Sequence, residues 1–179
     1  DAVLAVSFFF FLRLIASGSG DGTVRLWNTD TYQQVKVLQG HTGYVWTLAF
    51  SPDGTQLASG SWDGTVKLWN LQEFEESKLL ADFDTFVSSL DYSPDGKLLA
   101  VGLFNGETKS TVRIWHLKEQ KELRNFETKS VHSLNFSPNK SGIVVSGSSD
   151  GVIKMWNSIA DNIPVGLSPK SDTLIQTSY

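Results

Sequence analysis

Short runs of apolar and small residues alternate with polar turn segments along most of the chain. Around residues 45–70 the runs VWTLAF and LASGS flank a Ser-Pro-Asp-Gly segment, and TVKLW follows an Asp-Gly pair. Pro and Gly at these places favour tight turns, whereas β-branched and aromatic residues favour strands. The pattern therefore predicts four strands in this segment, near 44–50, 56–61, 65–70 and 76–81.

These strands are apolar or small almost throughout, instead of alternating between apolar and polar positions. Such a composition is typical of a sheet that is covered on both faces. Gly and Ser in the second strand would let a neighbouring sheet approach closely. The pattern thus predicts a stack of sheets.

The same unit occurs four times. Its motifs are GSGDGTVRLWN, GSWDGTVKLWN, TKSTVRIWH and GSSDGVIKMWN, whose Trp residues at 27, 69, 115 and 156 recur every 41 to 46 residues. A second landmark, FSPDG at 50–54, YSPDG at 92–96 and FSPNK at 136–140, precedes the last three motifs. Because period, turn chemistry and Trp placement repeat in one register, the sequence predicts an array of four structural repeats.

The apolar start of the chain, AVLAVSFFFFL at 2–12, superficially resembles the core of a signal peptide. It is too short to span a bilayer as a helix, and no basic stretch precedes it. With an offset of 42 residues it aligns with the second repeat, which places Val3 on Val45 and Phe8 on Phe50. We therefore predict two strands here, with Phe8 inside and Phe9–Phe11 exposed, although nothing explains why Phe9–Leu12 replaces Ser-Pro-Asp-Gly.

These motifs resemble the WD-repeat family over roughly residues 2–160. Asn or His follows each Trp here, where the family's name-giving dipeptide has Asp. The resemblance implies an all-β fold of β-propeller blades, each a four-stranded antiparallel sheet. Four blades predict an open arc, with blades at about 1–38, 42–81, 84–127 and 129–167 and a tail or the start of a further blade at 168–179.

The resemblance also implies a hydrogen-bonded tetrad inside a blade, and the second repeat alone has all four members: His41, Ser59, Asp63 and Trp69. A buried indole N–H needs an acceptor and a carboxylate needs donors, which imidazole and hydroxyl groups supply. The first and fourth repeats carry partial tetrads, Ser17, Asp21 and Trp27, and Ser146, Asp150 and Trp156. The third repeat has Phe83, Val101 and Asn105 at the positions of His, Ser and Asp.

His41, Ser59 and Asp63 are also the residue types of a hydrolase triad. No nucleophile elbow of the G-x-S-x-G kind accompanies them, and the Ser and Asp recur in other repeats, as structural residues do. We therefore predict a structural role, with no catalytic residue, no metal site and no cofactor.

Composition narrows the function further. The chain has no Cys, a net charge of −4 and no run of Lys or Arg. It therefore has no thiol nucleophile, and nucleic-acid binding is disfavoured. We expect no membrane partner and a cytoplasmic location, since a reducing compartment is compatible with a chain that has no Cys.

The resemblance implies that partners bind the face that carries the loop before the first strand and the Asp-Gly turn. The residues expected there are Thr42, Tyr44, Trp46, Trp62, Phe86, Phe104 and His132. Aromatic side chains are the usual anchors of protein interfaces. Packing of these rings between blades is the alternative. Four extra residues, 107–110, lengthen the corresponding turn of the third repeat.

The favoured function is a non-catalytic scaffold that binds other proteins or peptides, and its open blade faces allow self-association. One alternative is a regulatory or sensor segment of a larger signalling protein. The other is an enzyme with a site in the propeller channel, which would need a cluster of acidic residues or His on the inner strands.

Overall fold

A computed structural model describes residues 1–74, 78–106, 110–139 and 142–158, and the backbone of 165–167. The predicted tail at 168–179 and most of the insertion at 107–110 lie outside the described residues. The described part of the chain consists of strands and turns. It contains no helix, and therefore none that could cross a membrane.

The described residues contain sixteen strands, which form four sheets. The first two sheets contain β1 (Val3–Phe9), β2 (Leu14–Ser19), β3 (Val24–Asn28) and β4 (Gln34–Leu38), then β5 (Val45–Phe50), β6 (Gln56–Ser61), β7 (Thr65–Asn70) and β8 (Lys78–Asp82). The last two contain β9 (Phe86–Tyr92), β10 (Leu98–Phe104), β11 (Ser110–His116) and β12 (Lys121–Thr128), then β13 (Val131–Phe136), β14 (Ile143–Ser148), β15 (Ile153–Asn157) and β16 (Val165–Leu167).

Each sheet is an antiparallel meander in which the strands are adjacent in chain order. We number these sheets blades 1 to 4. The strands of blade 2 begin and end within two residues of their predicted bounds. The four blades leave the ring unclosed, so the predicted fold class, four four-stranded antiparallel blades in an open arc, is confirmed.

The turns form where Gly reverses the chain. Gly54 in Ser-Pro-Asp-Gly and Gly64 in Asp-Gly have φ angles of 72° and 85°, in the left-handed region that Gly adopts without strain. Gly54 N–H donates to the Ser51 carbonyl at 2.9 Å, and Gly64 N–H donates to the Ser61 carbonyl at 3.2 Å. The first turn joins β5 to β6 in the register that pairs Phe50 with Leu57, and the second joins β6 to β7 in the register that pairs Leu57 with Trp69.

The cores lie between blades. Each of three apolar clusters combines one side of a blade with the opposite side of the next blade. We call the side that contacts the preceding blade the leading face, and the side that contacts the following blade the trailing face. Between blades 1 and 2, for example, Val24 and Leu26 of the trailing face meet Val45, Leu57 and Trp69 of the leading face. The prediction of sheets covered on both faces therefore holds for the two inner blades.

A Gly in the second strand of a blade lets the next blade approach closely. A Cβ atom at Gly60 would lie 2.4 Å from Val87 Cγ1, and one at Gly102 would lie 2.7 Å from Val131 Cγ1. No real Cβ fits at such distances. The close approach that the sequence predicted for these small residues therefore occurs at each of these interfaces.

The apolar start at 2–12 forms β1 and the turn after it, and β2 begins only at Leu14, so one of the two strands predicted there lies beyond it. The prediction for its Phe residues is wrong in two places. Phe8 is 55% exposed, because none of the described blades covers the leading face of blade 1. Phe9 is half-buried, with its ring centroid 5.6 Å from that of Phe50. Phe10 and Phe11 are exposed, as expected.

In blade 1, where Ser-Pro-Asp-Gly is replaced, the turn between β1 and β2 is closed by the same kind of backbone hydrogen bond between different residues. Arg13 N–H donates to the Phe10 carbonyl at 3.0 Å, and Arg13 adopts a φ of 53°. Its side chain pairs with Asp30 on the surface. The left-handed position thus moves from Gly to Arg13, one residue later than in the other repeats.

Candidate functional site

The four predicted tetrad residues of blade 2 form one continuous hydrogen-bond chain. Trp69 Nε1–H donates to Ser59 Oγ at 2.8 Å, and Ser59 Oγ lies 2.7 Å from His41 Nε2. His41 Nδ1 lies 3.0 Å from Asp63 Oδ2. If His41 carries its proton on Nδ1, each donor in this chain has an acceptor.

Asp63 is the acceptor on which the chain ends. Its carboxylate also accepts hydrogen bonds from the Thr42 N–H at 2.8 Å, the Thr65 N–H at 2.9 Å and the Thr65 hydroxyl at 2.7 Å. Burial raises the pKa of this carboxyl group, but the hydrogen bonds from Thr65 and Thr42 outweigh that effect and hold the pKa well below its usual range. Asp63 is therefore ionised at neutral pH.

His41 is neutral at neutral pH. Burial lowers the pKa of its imidazole, and the attraction of Asp63, which raises the pKa, offsets this only in part. A neutral imidazole can donate from one nitrogen and accept at the other, which suits its position between a carboxylate and a hydroxyl group.

The partial tetrads keep the link from Trp to Ser. Trp27 Nε1–H donates to Ser17 Oγ at 2.9 Å, and Trp156 Nε1–H donates to Ser146 Oγ at 2.8 Å. Asp21 and Asp150 instead accept from their own turns. Hydrogen bonds from Thr23 lower the pKa of Asp21 to about 2, and the carboxylate of Asp150 accepts the Val152 N–H at 3.1 Å.

Blade 3 replaces the polar network with apolar contacts. Phe83 meets Trp115 edge to face, with ring centroids 6.2 Å apart at 74°. Val101 offers the indole no acceptor, and the buried Trp115 Nε1–H has no hydrogen-bond partner among the described residues. The guanidinium of Arg113 lies 5.0 Å from the centroid of Phe83 and pairs with Glu122.

The order of atoms in blade 2, hydroxyl to imidazole to carboxylate, is that of a hydrolase triad. The surroundings differ from those of a nucleophile. Ser59 has a relative exposure of 0%, and its oxygen already accepts the indole N–H of Trp69. A nucleophilic oxygen needs a path for its substrate, which the fully buried Ser59 does not offer.

The predicted binding-face aromatics lie on the surface. Tyr44, Trp46, Trp62 and Phe86 are 40–48% exposed, and we call them the aromatic row. The Trp62 ring lies 5.2 Å from both Tyr44 and Trp46 and stacks on Phe86 at 5.0 Å. The row therefore joins blade 2 to blade 3, with each ring partly open to solvent.

Beside the row lies a groove of about 170 Å³, which we call the aromatic groove. Its lining is mostly apolar and comes from blades 2, 3 and 4: Trp46, Trp62, Phe86, Ser88, Phe104 and His132. On its far side the ring of His132 lies 5.6 Å from that of Phe104. Thr42 has an exposed side chain, while its N–H caps Asp63.

Sequence reasoning missed Thr65. Its hydroxyl contacts both Asp63 and, at 3.0 Å, the His41 Nδ1, so it stabilises two members of the tetrad. The available signal was the Asp-Gly-Thr order at 63–65 and 21–23, since a turn Asp accepts hydrogen bonds from the residue two positions later. No cluster of three or more metal-ligating side chains occurs in the described part of the chain.

Comparison with known proteins gives one family. The family described as "WD domain, G-beta repeat" matches this chain at residues 1–28, 32–70, 77–116 and 118–157. Each match contains one of the four Trp residues, each of which is the next-to-last residue of the third strand of its blade.

Several curated proteins resemble a segment of the chain that is about as long as one repeat. Ribosome assembly protein 4 of Chaetomium thermophilum is 49% identical over 43 residues, which are 24% of this chain and 8% of that protein. "Non-functional target of rapamycin complex subunit LST8-2" of Arabidopsis thaliana is 48% identical over 42 residues, 24% of this chain and 13% of that protein. Nuclear distribution protein PAC1 of Coprinopsis cinerea is 50% identical over 40 residues, which are 22% of this chain and 9% of that protein. The matched segments thus span a small part of each relative.

Proposed function

Because the chain belongs to the WD-repeat family, we propose that it is a non-catalytic protein-interaction module whose binding surface is the aromatic row together with the aromatic groove. WD repeats imply a role in protein interaction, and the proposal assigns that role to one face of blades 2 to 4. A peptide or an exposed loop of a partner protein is the ligand.

The observation that carries the proposal is the exposure of four large aromatic rings in one continuous stack. Each keeps 40–48% of its surface exposed, although its neighbours bury one side of it. Contiguous exposed apolar surface of this kind is uncommon on soluble domains and marks interaction sites. Rings already held by stacking also lose little freedom when a ligand binds.

The test starts from a phage-displayed peptide library panned against the full chain, followed by measurement of the Kd of a selected peptide by calorimetry. We expect Trp62→Ala to weaken binding at least tenfold and Tyr44→Ala to weaken it less, because Trp62 contacts every other ring of the row. Tyr32→Ala is the matched control, since Tyr32 is 87% exposed and lies outside the row. It should leave the Kd unchanged.

Circular dichroism shows whether the variants fold. A selected peptide that binds Trp62→Ala and the wild type equally well would locate the binding surface elsewhere. Unfolding of both Trp62→Ala and Tyr44→Ala would show that these rings are part of the core, and the assignment would then be withdrawn.

The non-catalytic part of the proposal is supported by the burial of Ser59. We infer that the tetrad stabilises blade 2, so Ser59→Ala should lower the melting temperature modestly, without any change in turnover of ester substrates. Hydrolysis by the wild type that disappears in Ser59→Ala would overturn this inference. An intracellular location is proposed on the absence of Cys, and imaging of the tagged protein in cells tests it.

A further inference from the structure

The leading face of blade 1 exposes apolar residues that are buried in the other blades. Val3 is 61% exposed, whereas Val45, Val87 and Val131, at the same position of blades 2, 3 and 4, have exposures of 0%. Val6 is 66% exposed, whereas Leu90 and Leu134 at its position have exposures of 6% and 2%. The sequence of blade 1 thus retains the residues of a blade interface.

The trailing face of blade 4 is the counterpart. Ile153 is 45% exposed, whereas Val24, Val66 and Val112 at its position have exposures of 0%. Gly147 occupies the position of Gly18, Gly60 and Gly102, each of which is covered by the leading Val of the next blade. A Cβ at Gly147 would meet no atom of the described residues within 4 Å.

A hydrogen bond between blades repeats in the same way. Thr47 Oγ1 of blade 2 accepts the Leu90 N–H of blade 3 at 3.1 Å. Ser89 Oγ of blade 3 accepts the Leu134 N–H of blade 4 at 3.1 Å. The next residue in this series is Ser133, which is exposed on blade 4. In blade 1, Val6 occupies the position that Leu90 and Leu134 have in blades 3 and 4.

We propose that the trailing face of blade 4 binds the leading face of blade 1 of a second copy of this chain. Val3 of one copy fills the space over Gly147 of the other, and the Val6 N–H donates to Ser133 Oγ. A second copy is the occupant because each open face is complementary to the other open face, position by position, as at the interfaces inside the arc. The proposal is independent of the aromatic groove.

This interface is heterologous, since the two copies contribute different surfaces. Among the described residues, each copy has one open surface of each kind. The wild-type chain is therefore expected to associate, and a variant that has lost either surface should remain a single chain.

Two variants block one surface each. Val3→Asp places a charge on the leading face, and Gly147→Glu fills the space on the trailing face. Neither is expected to disturb its own blade, since Val3 is mostly exposed, and Gly147 has open space among the described residues and a φ outside the left-handed region. Leu79→Asp is the matched control, because Leu79 is 49% exposed on the outer strand of blade 2.

Sedimentation velocity of the full chains measures association. We expect the wild type and Leu79→Asp to form species larger than a single chain, in proportions that rise with concentration. Val3→Asp and Gly147→Glu should each sediment as single chains with unchanged circular dichroism spectra. Association of the wild type should be unaffected by Trp62→Ala, which separates this proposal from the proposed binding function.

Mixing the two blocked variants gives the sharper result. Val3→Asp retains its trailing face and Gly147→Glu retains its leading face, so the mixture should form a one-to-one dimer although neither variant associates alone. A wild type that remains a single chain at the highest accessible concentration overturns the proposal. So does a Gly147→Glu variant that still associates alone, which would show contact between two like faces.

Discussion

Blades 2 and 3 share the same strand register but bury their Trp residues by different chemistry. In blade 2 the Trp69 N–H ends a chain of four polar groups, and each has a partner. In blade 3 an edge-to-face contact with Phe83 replaces the polar chain, and the Trp115 N–H has no hydrogen-bond partner in the described residues. The hydrogen bond to Trp is therefore not needed to form a blade, whereas the packing of the indole at the interface with the preceding blade is common to both.

The difference also changes how the stability of the two blades responds to substitutions. An apolar core loses the contacts of the group that is removed, while a buried polar network also leaves its remaining members without partners. Blade 2 is therefore expected to be more sensitive to single substitutions and to pH.

The largest effect is expected for Asp63→Ala. Removal of this carboxylate leaves His41 and the Thr65 hydroxyl without their acceptor, and we expect a loss of about 2–3 kcal/mol in the free energy of unfolding. The matched control is Asn105→Ala, at the same turn position of blade 3, where the side chain is exposed and the loss should stay within about 0.5 kcal/mol. Urea unfolding followed by fluorescence measures both; equal losses in the two variants would contradict the comparison.

The tetrad could largely be predicted from the sequence, but the degree of burial of residues in blade 1 could not. His41, Ser59, Asp63 and Trp69 are specified by their places in the repeat, because the strand register brings the same positions together in every blade. Phe8 occupies the position of Phe50, yet its burial depends on a neighbouring blade that this structure does not contain. Local pattern specifies the face on which a residue lies, but whether that face is covered depends on the neighbour.

The aromatic face shows a second limit. The sequence placed Tyr44, Trp46 and Trp62 on the binding face, but it left open whether these rings pack between blades. Their stacking with Phe86 depends on the position of blade 3 relative to blade 2, which no pattern within one repeat specifies. Thr65 was missed for a related reason, since its contact with His41 arises only when the turn closes over the imidazole.

The next effect is the coupling between His41 and Asp63. Since both substitutions break one network, the double variant His41→Ala with Asp63→Ala should be less destabilised than the sum of the single variants by about 1 kcal/mol. In blade 3 the corresponding pair, Phe83→Ala with Asn105→Ala, should be additive within about 0.5 kcal/mol. A full double-mutant cycle in each blade, measured by urea unfolding, tests this contrast. Additive effects in blade 2 would mean that the imidazole and the carboxylate act separately.

A smaller effect is expected from pH. Burial lowers the pKa of folded His41 below its ordinary value of 6.5, so below pH 6.5 the unfolded chain binds a proton that the folded chain does not. The contribution of His41 to stability is therefore complete above pH 6.5 and is lost as the pH falls towards the lowered pKa. The urea midpoint should drop between about pH 7.5 and pH 5.5, and less so in His41→Gln. His132→Gln, at an exposed position, should keep the wild-type dependence, and an unchanged dependence in His41→Gln would contradict the assignment.

The smallest change in stability is expected for a substitution in blade 3 that introduces a hydroxyl group at the position of Ser59. Val101 lies at the position of Ser59, so Val101→Thr brings a hydroxyl group within reach of the Trp115 N–H at little change in volume. A buried hydroxyl without a partner costs about 1–3 kcal/mol, but here it would accept the buried indole N–H, and the net change should stay below about 0.5 kcal/mol. Val112→Thr is the control, because Val112 is equally buried and the cluster around it is apolar, so the full cost should appear. Urea unfolding gives the energies, and the indole N–H resonance of Trp115 should shift downfield and exchange more slowly in Val101→Thr alone. If Val101→Thr is as destabilising as Val112→Thr, the Trp115 N–H gains no stabilising hydrogen bond from the new hydroxyl group, and the contrast between the two blades lies in packing alone.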